Sequence, residues 1–456
     1  MTGRRRRLAF TLVGVLLGVV GTAGAHGAGL ASASGRSSDV PTWLFLLTGG
    51  GVIGASFLLA SFVTDREFIR WIHGWHRGLA LPAARVLTAV GRLLGVVGLL
   101  FVLAVGFLGP QESLYNAAIL VVWAGWWSGY AMTTYLVGNT WPILNPWRSI
   151  AAVLPSLERP YPDRLDAWPS VAALLALIWL EVVSPVADQP RFLAGIVAGY
   201  TVVTLAGAVV FGEETWFETV DPVSRVFRYF GRVAPLYADD GVSVRLPGAG
   251  LSEAKLVTSR AEVAFVVAVL WVTTYDGLVA TPLWRRYAVA VVESGVPPNL
   301  LYAAALVVGY LVFLGIYRAA ARASKRRART YVPVEDLAYR FAPPLIAIAA
   351  GYHVAHFLGY FLELSPVLLG TLTAPLSPPE PVALLLPAWF GGLELSFVIL
   401  GHLLAIWVAH AAAYDIFPGK LQAIRSQYAT TAAMVCYTIV SLWIVSQPYA
   451  IPPYVS

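Results

Sequence analysis

Four of the chain's seven histidines fall in two neighbouring hydrophobic segments, Gly351-Tyr352-His353-Val354-Ala355-His356 and Gly401-His402 through Ala409-His410. Imidazole titrates near neutral pH and is the commonest protein ligand for transition metals. On a helix, His353 and His356 share a face. His402 and His410 are offset by about 80° and about 12 Å, so they cannot hold one ion together on a straight helix. Two acids, Glu181 and Asp276, also sit in apolar stretches. Ionisable groups at membrane depth are costly and face a bundle interior or a water-filled cavity. Three chemistries use these residues. In the first, His356 and His402, with His353 or His410 as third ligand, bind zinc or copper. Glu181 or Asp276 then acts as general base or further ligand, and an open metal position activates water. In the second, histidines on facing helices hold a b-type haem. In the third, histidines and acids form a proton or metal-ion pathway. The plain alternative is that the histidines hydrogen-bond across helices and hold a bundle together. Asp276 has its own alternative, capping a helix broken at Gly277.

The elements that carry these residues are membrane spans. The 456 residues are 58% hydrophobic and 12% charged, with mean hydropathy +0.70, against about 25% charge in a soluble chain. Ten apolar runs, near 42–64, 89–109, 114–137, 170–187, 192–212, 261–281, 299–317, 340–365, 391–413 and 428–446, predict an all-α, polytopic integral membrane protein. Ahead of them, Arg4 to Arg7, the apolar Leu8 to Val20 and Ala23-Gly24-Ala25 read as a signal peptide over 1–25. An external segment, 26–41, would begin at His26, and 42–456 would form a single multi-span domain. With the mature N-terminus outside, inside loops carry 22 basic residues and outside segments four. The positive-inside rule thus puts both mature termini outside a cytoplasmic membrane. The net charge of +6 follows from those loops and is not a nucleic-acid signal. The lone Cys436 excludes intrachain disulfides and a cysteine-rich metal site. Phosphate-loop, dinucleotide, nucleophile-elbow and zinc-protease motifs are missing, and no lysine falls in a span.

A weak repeat runs through 114–187 and 192–281. Gly138-Asn139-Thr140-Trp141 leads to Asn145-Pro146-Trp147-Arg148, and Gly212 through Trp216 leads to Asp221-Pro222-Val223-Ser224-Arg225. Asn-Pro and Asp-Pro start helices, because Asn and Asp cap backbone N–H groups and Pro fits the first turn. Val226 to Arg232 alternates basic and aromatic residues, which predicts a helix lying at the membrane interface. His73 and His76, among tryptophans, read as headgroup-level residues. Asp239–Ser252 reads as a turn or short hairpin, and the Pro-rich 366–387 as a loop over the histidine region.

Several segments resemble the fenitrothion hydrolase-like family of multi-pass membrane proteins. They are Ala25-His26-Gly27, Gly138 to Pro142 with Asn145-Pro146-Trp147-Arg148, Asp221-Pro222 with Phe230-Gly231-Arg232, and Tyr275-Asp276-Gly277 with Thr281-Pro282-Leu283-Trp284. Ala355-His356, Gly401-His402, Ala409-His410 and Ser426-Gln427-Tyr428 complete the series. In the family Asp-Arg follows the last Ala-His pair directly, whereas here three alanines and Tyr414 precede Asp415. The resemblance implies ester hydrolysis, metal-assisted if the histidine site holds a metal, with a hydrophobic substrate; a site at membrane depth would let such a substrate enter laterally from the lipid bilayer.

Overall fold

A computed structural model describes residues 42–79, 84–238, 241–387, 389–448 and 450–455. The signal peptide and the segment 26–41 lie outside the described residues. The chain is 75% helical with almost no strand. The main helices are α1 (Thr42–Phe62), α2 (Arg66–Gly74), α3 (Ala84–Leu108), α4 (residues 117–136), α5 (Trp168–Val183), α6 (Pro190–Phe211) and α7 (Pro222–Phe230). They continue as α8 (Arg260–Val279), α9 (Pro282–Glu293), α10 (Pro298–Ala328), α11 (Val334–Phe341), α12 (Pro344–Thr373), α13 (Phe390–Ile416) and α14 (Lys420–Val445).

Each of the ten apolar runs is helical. Seven helical segments are long and apolar enough to cross a membrane: α3, α6, α8, α10, α11 running into α12, α13 and α14. The other three runs differ in detail. α1 is 21 residues long. α5 has only 16 residues, short of the roughly 20 that a crossing takes. α4 starts from an Asn116 cap, whose side chain accepts from Ala118 N and Ile119 N, and is π-wound over Val121–Tyr130. The Ser128 hydroxyl donates to the Trp123 carbonyl five residues back, matching the wider π turn.

α8 is the central helix: 83% of its most apolar window is buried, against 17% for α3. It packs on α5, α10 and α12. It runs unbroken through Gly277 to Val279, so Asp276 is not a cap. Thr281 instead caps α9, accepting from Trp284 N.

α7 departs from the expected interfacial helix. Val226, Phe227, Tyr229 and Phe230 are all buried. Phe227 packs against Trp126, Tyr130 and Trp141 with ring centroids 5.1–5.6 Å apart, and Phe230 meets Tyr135 at 5.1 Å. The tryptophans presented by α4 and the turn after it bury these rings, and that gain outweighs leaving an aromatic face at a lipid surface. After α7 comes a hairpin of β2 (Leu236–Ala238) and β3 (Val242–Arg245). β3 also pairs antiparallel with β1 (His76–Leu79), giving the order β1-β3-β2.

Candidate functional site

α12 and α13 carry the four histidines and touch backbone to backbone. A methyl added at Gly351 would come within 2.6 Å of the Phe397 carbonyl oxygen and 2.8 Å of Gly401 Cα. Ala355 packs in one cluster with Val398 and Leu395, as an antiparallel pair requires. That contact fixes the register. With Gly351 level with Gly401, His356 lies level with residue 396, and His402 is six residues away, about 9 Å along the axis. His356 and His402 therefore do not lie level with each other across the two helices.

His356 faces α8. Its Nε2 lies 3.2 Å from Asp276 Oδ2, with both side chains partly accessible at 32% and 26%. The α5–α8 packing brings Glu181 within electrostatic reach of Asp276, and the field of Glu394 on α13 also reaches His356. Tyr352 stacks on His356 at 5.8 Å. Its hydroxyl is buried without a hydrogen-bond partner among the described residues and sits over Gly277, where a methyl would come within 2.2 Å of it. Glycine is what admits the ring so close to α8.

The other three histidines have separate surroundings. His353 is fully buried, with Nδ1 2.8 Å from the Tyr135 hydroxyl and with Trp127, Phe230 and Phe357 around its ring. His402 Nδ1 donates to the Val398 carbonyl one turn back at 2.7 Å. His410 Nε2 donates to the Val63 carbonyl at the end of α1 (2.8 Å), and its Nδ1 lies 3.2 Å from Gln427 Oε1. Among the described residues no group of three or more His, Cys, Asp or Glu side chains is arranged to hold a metal ion. The donor set expected for zinc or copper, His353, His356, His402 and His410 with Glu181 or Asp276, does not converge. A porphyrin between α12 and α13 would have to part the helices at the Gly351–Gly401 contact.

Asp415 pairs with Arg340. Sequence reasoning missed the aromatic setting of His73. Its ring stacks on Trp407 at 5.9 Å, neither ring nitrogen has a partner among the described residues, and burial pushes its pKa down to about 4. The Trp71 to Trp75 context could not show which distant helix those rings meet. His76 instead lies in β1, opposite Arg245.

No family model, curated protein or solved structure matches the chain.

Proposed function

We propose that the chain is a ten-span protein of the cytoplasmic membrane, delivered by a signal peptide over 1–25, with both mature termini outside. Its Glu181–Asp276–His356 chain takes up protons and passes them on, coupling proton movement to transport. The observation that carries this reading is the contact between His356 on α12 and Asp276 on α8. An imidazole and a carboxylate in contact exchange a proton without leaving a lone charge in apolar surroundings. Paired acids and histidines of this kind are the parts of intramembrane proton relays. Both side chains keep accessible surface, 32% and 26%, a route by which water can reach them.

A second reading rests on the same pair and on the resemblance described above. A carboxylate-oriented imidazole is a general base for water, and hydrolysis of a hydrophobic ester needs such a base. This form of the reading uses no metal, because the donor set does not fit one.

Reconstitution in liposomes carrying an internal pH indicator tests the proposal. An imposed pH gradient with a valinomycin-clamped potential should drive proton entry well above that in empty liposomes. Asp276→Asn and His356→Gln should each lower the flux at least tenfold, and Glu181→Gln should lower it severalfold. Wild-type flux no greater than in empty liposomes would sink the relay. Turnover of a hydrophobic phosphotriester, lost in Asp276→Asn, would put hydrolysis in its place. Stoichiometric zinc or copper in the purified protein, lost in His356→Ala, would reinstate a metal centre.

A further inference from the structure

A second site lies away from the histidines, where the two units of the weak repeat meet. Asn145 caps Pro146–Ala151 by accepting from Arg148 N, and Asp221 caps α7 by accepting from Ser224 N. Each has proline at the next position. The caps are joined, since Asn145 Nδ2 donates to Ser224 Oγ at 3.1 Å, while that hydroxyl donates to Asp221 at 2.5 Å. Beside this junction is a cavity of about 380 Å³, a size that takes a small ligand.

Its wall carries three guanidinium groups, Arg148, Arg228 and Arg232, against one carboxylate among the described residues, Glu218. Each arginine is held by a glutamate that does not line the cavity. Arg148 Nε donates to Glu213 (2.7 Å), Arg228 Nη2 to Glu262 (3.0 Å) and Arg232 Nη1 to Glu253 (2.9 Å). A guanidinium has five N–H donors, so these pairs fix the forks and leave donors over. The donors left over on these guanidinium groups are what an oxyanion in the cavity would meet. Arginine forks match the spacing of phosphate oxygens.

We propose that this cavity binds a phosphate group, carried either by a soluble phosphate compound or by a phospholipid headgroup. The full-length protein in detergent would be titrated calorimetrically with inorganic phosphate in chloride buffer. In parallel, it would be placed in nanodiscs of phosphatidylcholine with or without phosphatidic acid, and retained lipid read by native mass spectrometry. The wild type is expected to bind at least one of these probes. Arg148→Gln and Arg228→Gln should each weaken that binding at least tenfold, and Arg148→Lys, which keeps the charge and loses the fork, about threefold. Arg285→Gln, outside the cavity, should change nothing. Phosphate binding that the arginine variants lose assigns the soluble source, and retention of phosphatidate alone, lost in the same variants, assigns the headgroup. A wild type that binds neither probe overturns the site, as does unchanged affinity in the arginine variants; Arg148→Lys tests it even if a glutamine variant fails to fold.

Discussion

At the scale of single residues, the four membrane histidines divide by what their ring nitrogens touch. His356 meets a carboxylate, His353 a tyrosine hydroxyl, His402 its own helix, and His410 the frayed end of another helix. Among the described residues, only the first pairs one of these imidazoles with a carboxylate. His410 completes a helix terminus, since the Val63 carbonyl it binds is one of the orphan acceptors that every helix end leaves. His410→Leu removes that donor from a half-buried carbonyl, and the expected cost is about 1 kcal/mol. Thermal unfolding in detergent should show the loss, while proton flux per folded protein stays at the wild-type level. Equal loss of flux and stability would instead join His410 to the relay. The residue types pointed to Glu181, Asp276 and His356 from the sequence, because charged groups in apolar runs stand out. Which histidine meets which acid was not legible, because the partner depends on the axial register of two helices.

That register is set at the scale of elements. The Gly351–Gly401 contact leaves no room for a side chain, and the atoms in the way are backbone. Gly351→Ala therefore has to push α13 off α12. Overpacking of this kind costs about 1–3 kcal/mol, and it should also lower proton flux, because His356 moves with α12 while Glu394 moves with α13. A Gly351→Ala protein with wild-type melting temperature and flux would show that the two helices are not held in this register. Apolar runs of about 20 residues made the helices themselves legible, as did the Asn-Pro and Asp-Pro starts, which became the expected caps at Asn145 and Asp221. Two features were hidden. The π winding of Val121–Tyr130 leaves the apolar pattern of α4 unchanged. The inward burial of α7 depends on tryptophans from about 85 to 100 residues earlier, and an amphipathic pattern cannot say whether its apolar face meets lipid or protein.

At the scale of the whole molecule, parity decides the topology. Seven helical segments meet the length and apolarity of a span, and α1, α4 and α5 hold the remaining three of the ten apolar runs. If α5, at 16 residues, entered the bilayer without crossing it, every later loop would change sides. The arginine-rich stretch from Arg318 to Arg340 would then face outward, against the positive-inside rule. The basic residues therefore argue that α4 and α5 both cross, with α5 buried against α8 rather than spanning alone. Single-cysteine reporters on intact cells check this in a Cys436→Ser background. Glu112→Cys and Ser294→Cys are expected to react with a membrane-impermeant maleimide, and Glu158→Cys and Tyr331→Cys to stay protected until the cells are permeabilised. All four positions are exposed on the protein, so protection reports the membrane and not burial. Outside labelling of Glu158→Cys would mean that α4 does not cross. Glu158→Cys protected with Tyr331→Cys labelled would place the error between them, with α5 first in question. The proton relay would then have to be redrawn, because Glu181 and Asp276 would no longer lie on two spans that both cross the bilayer.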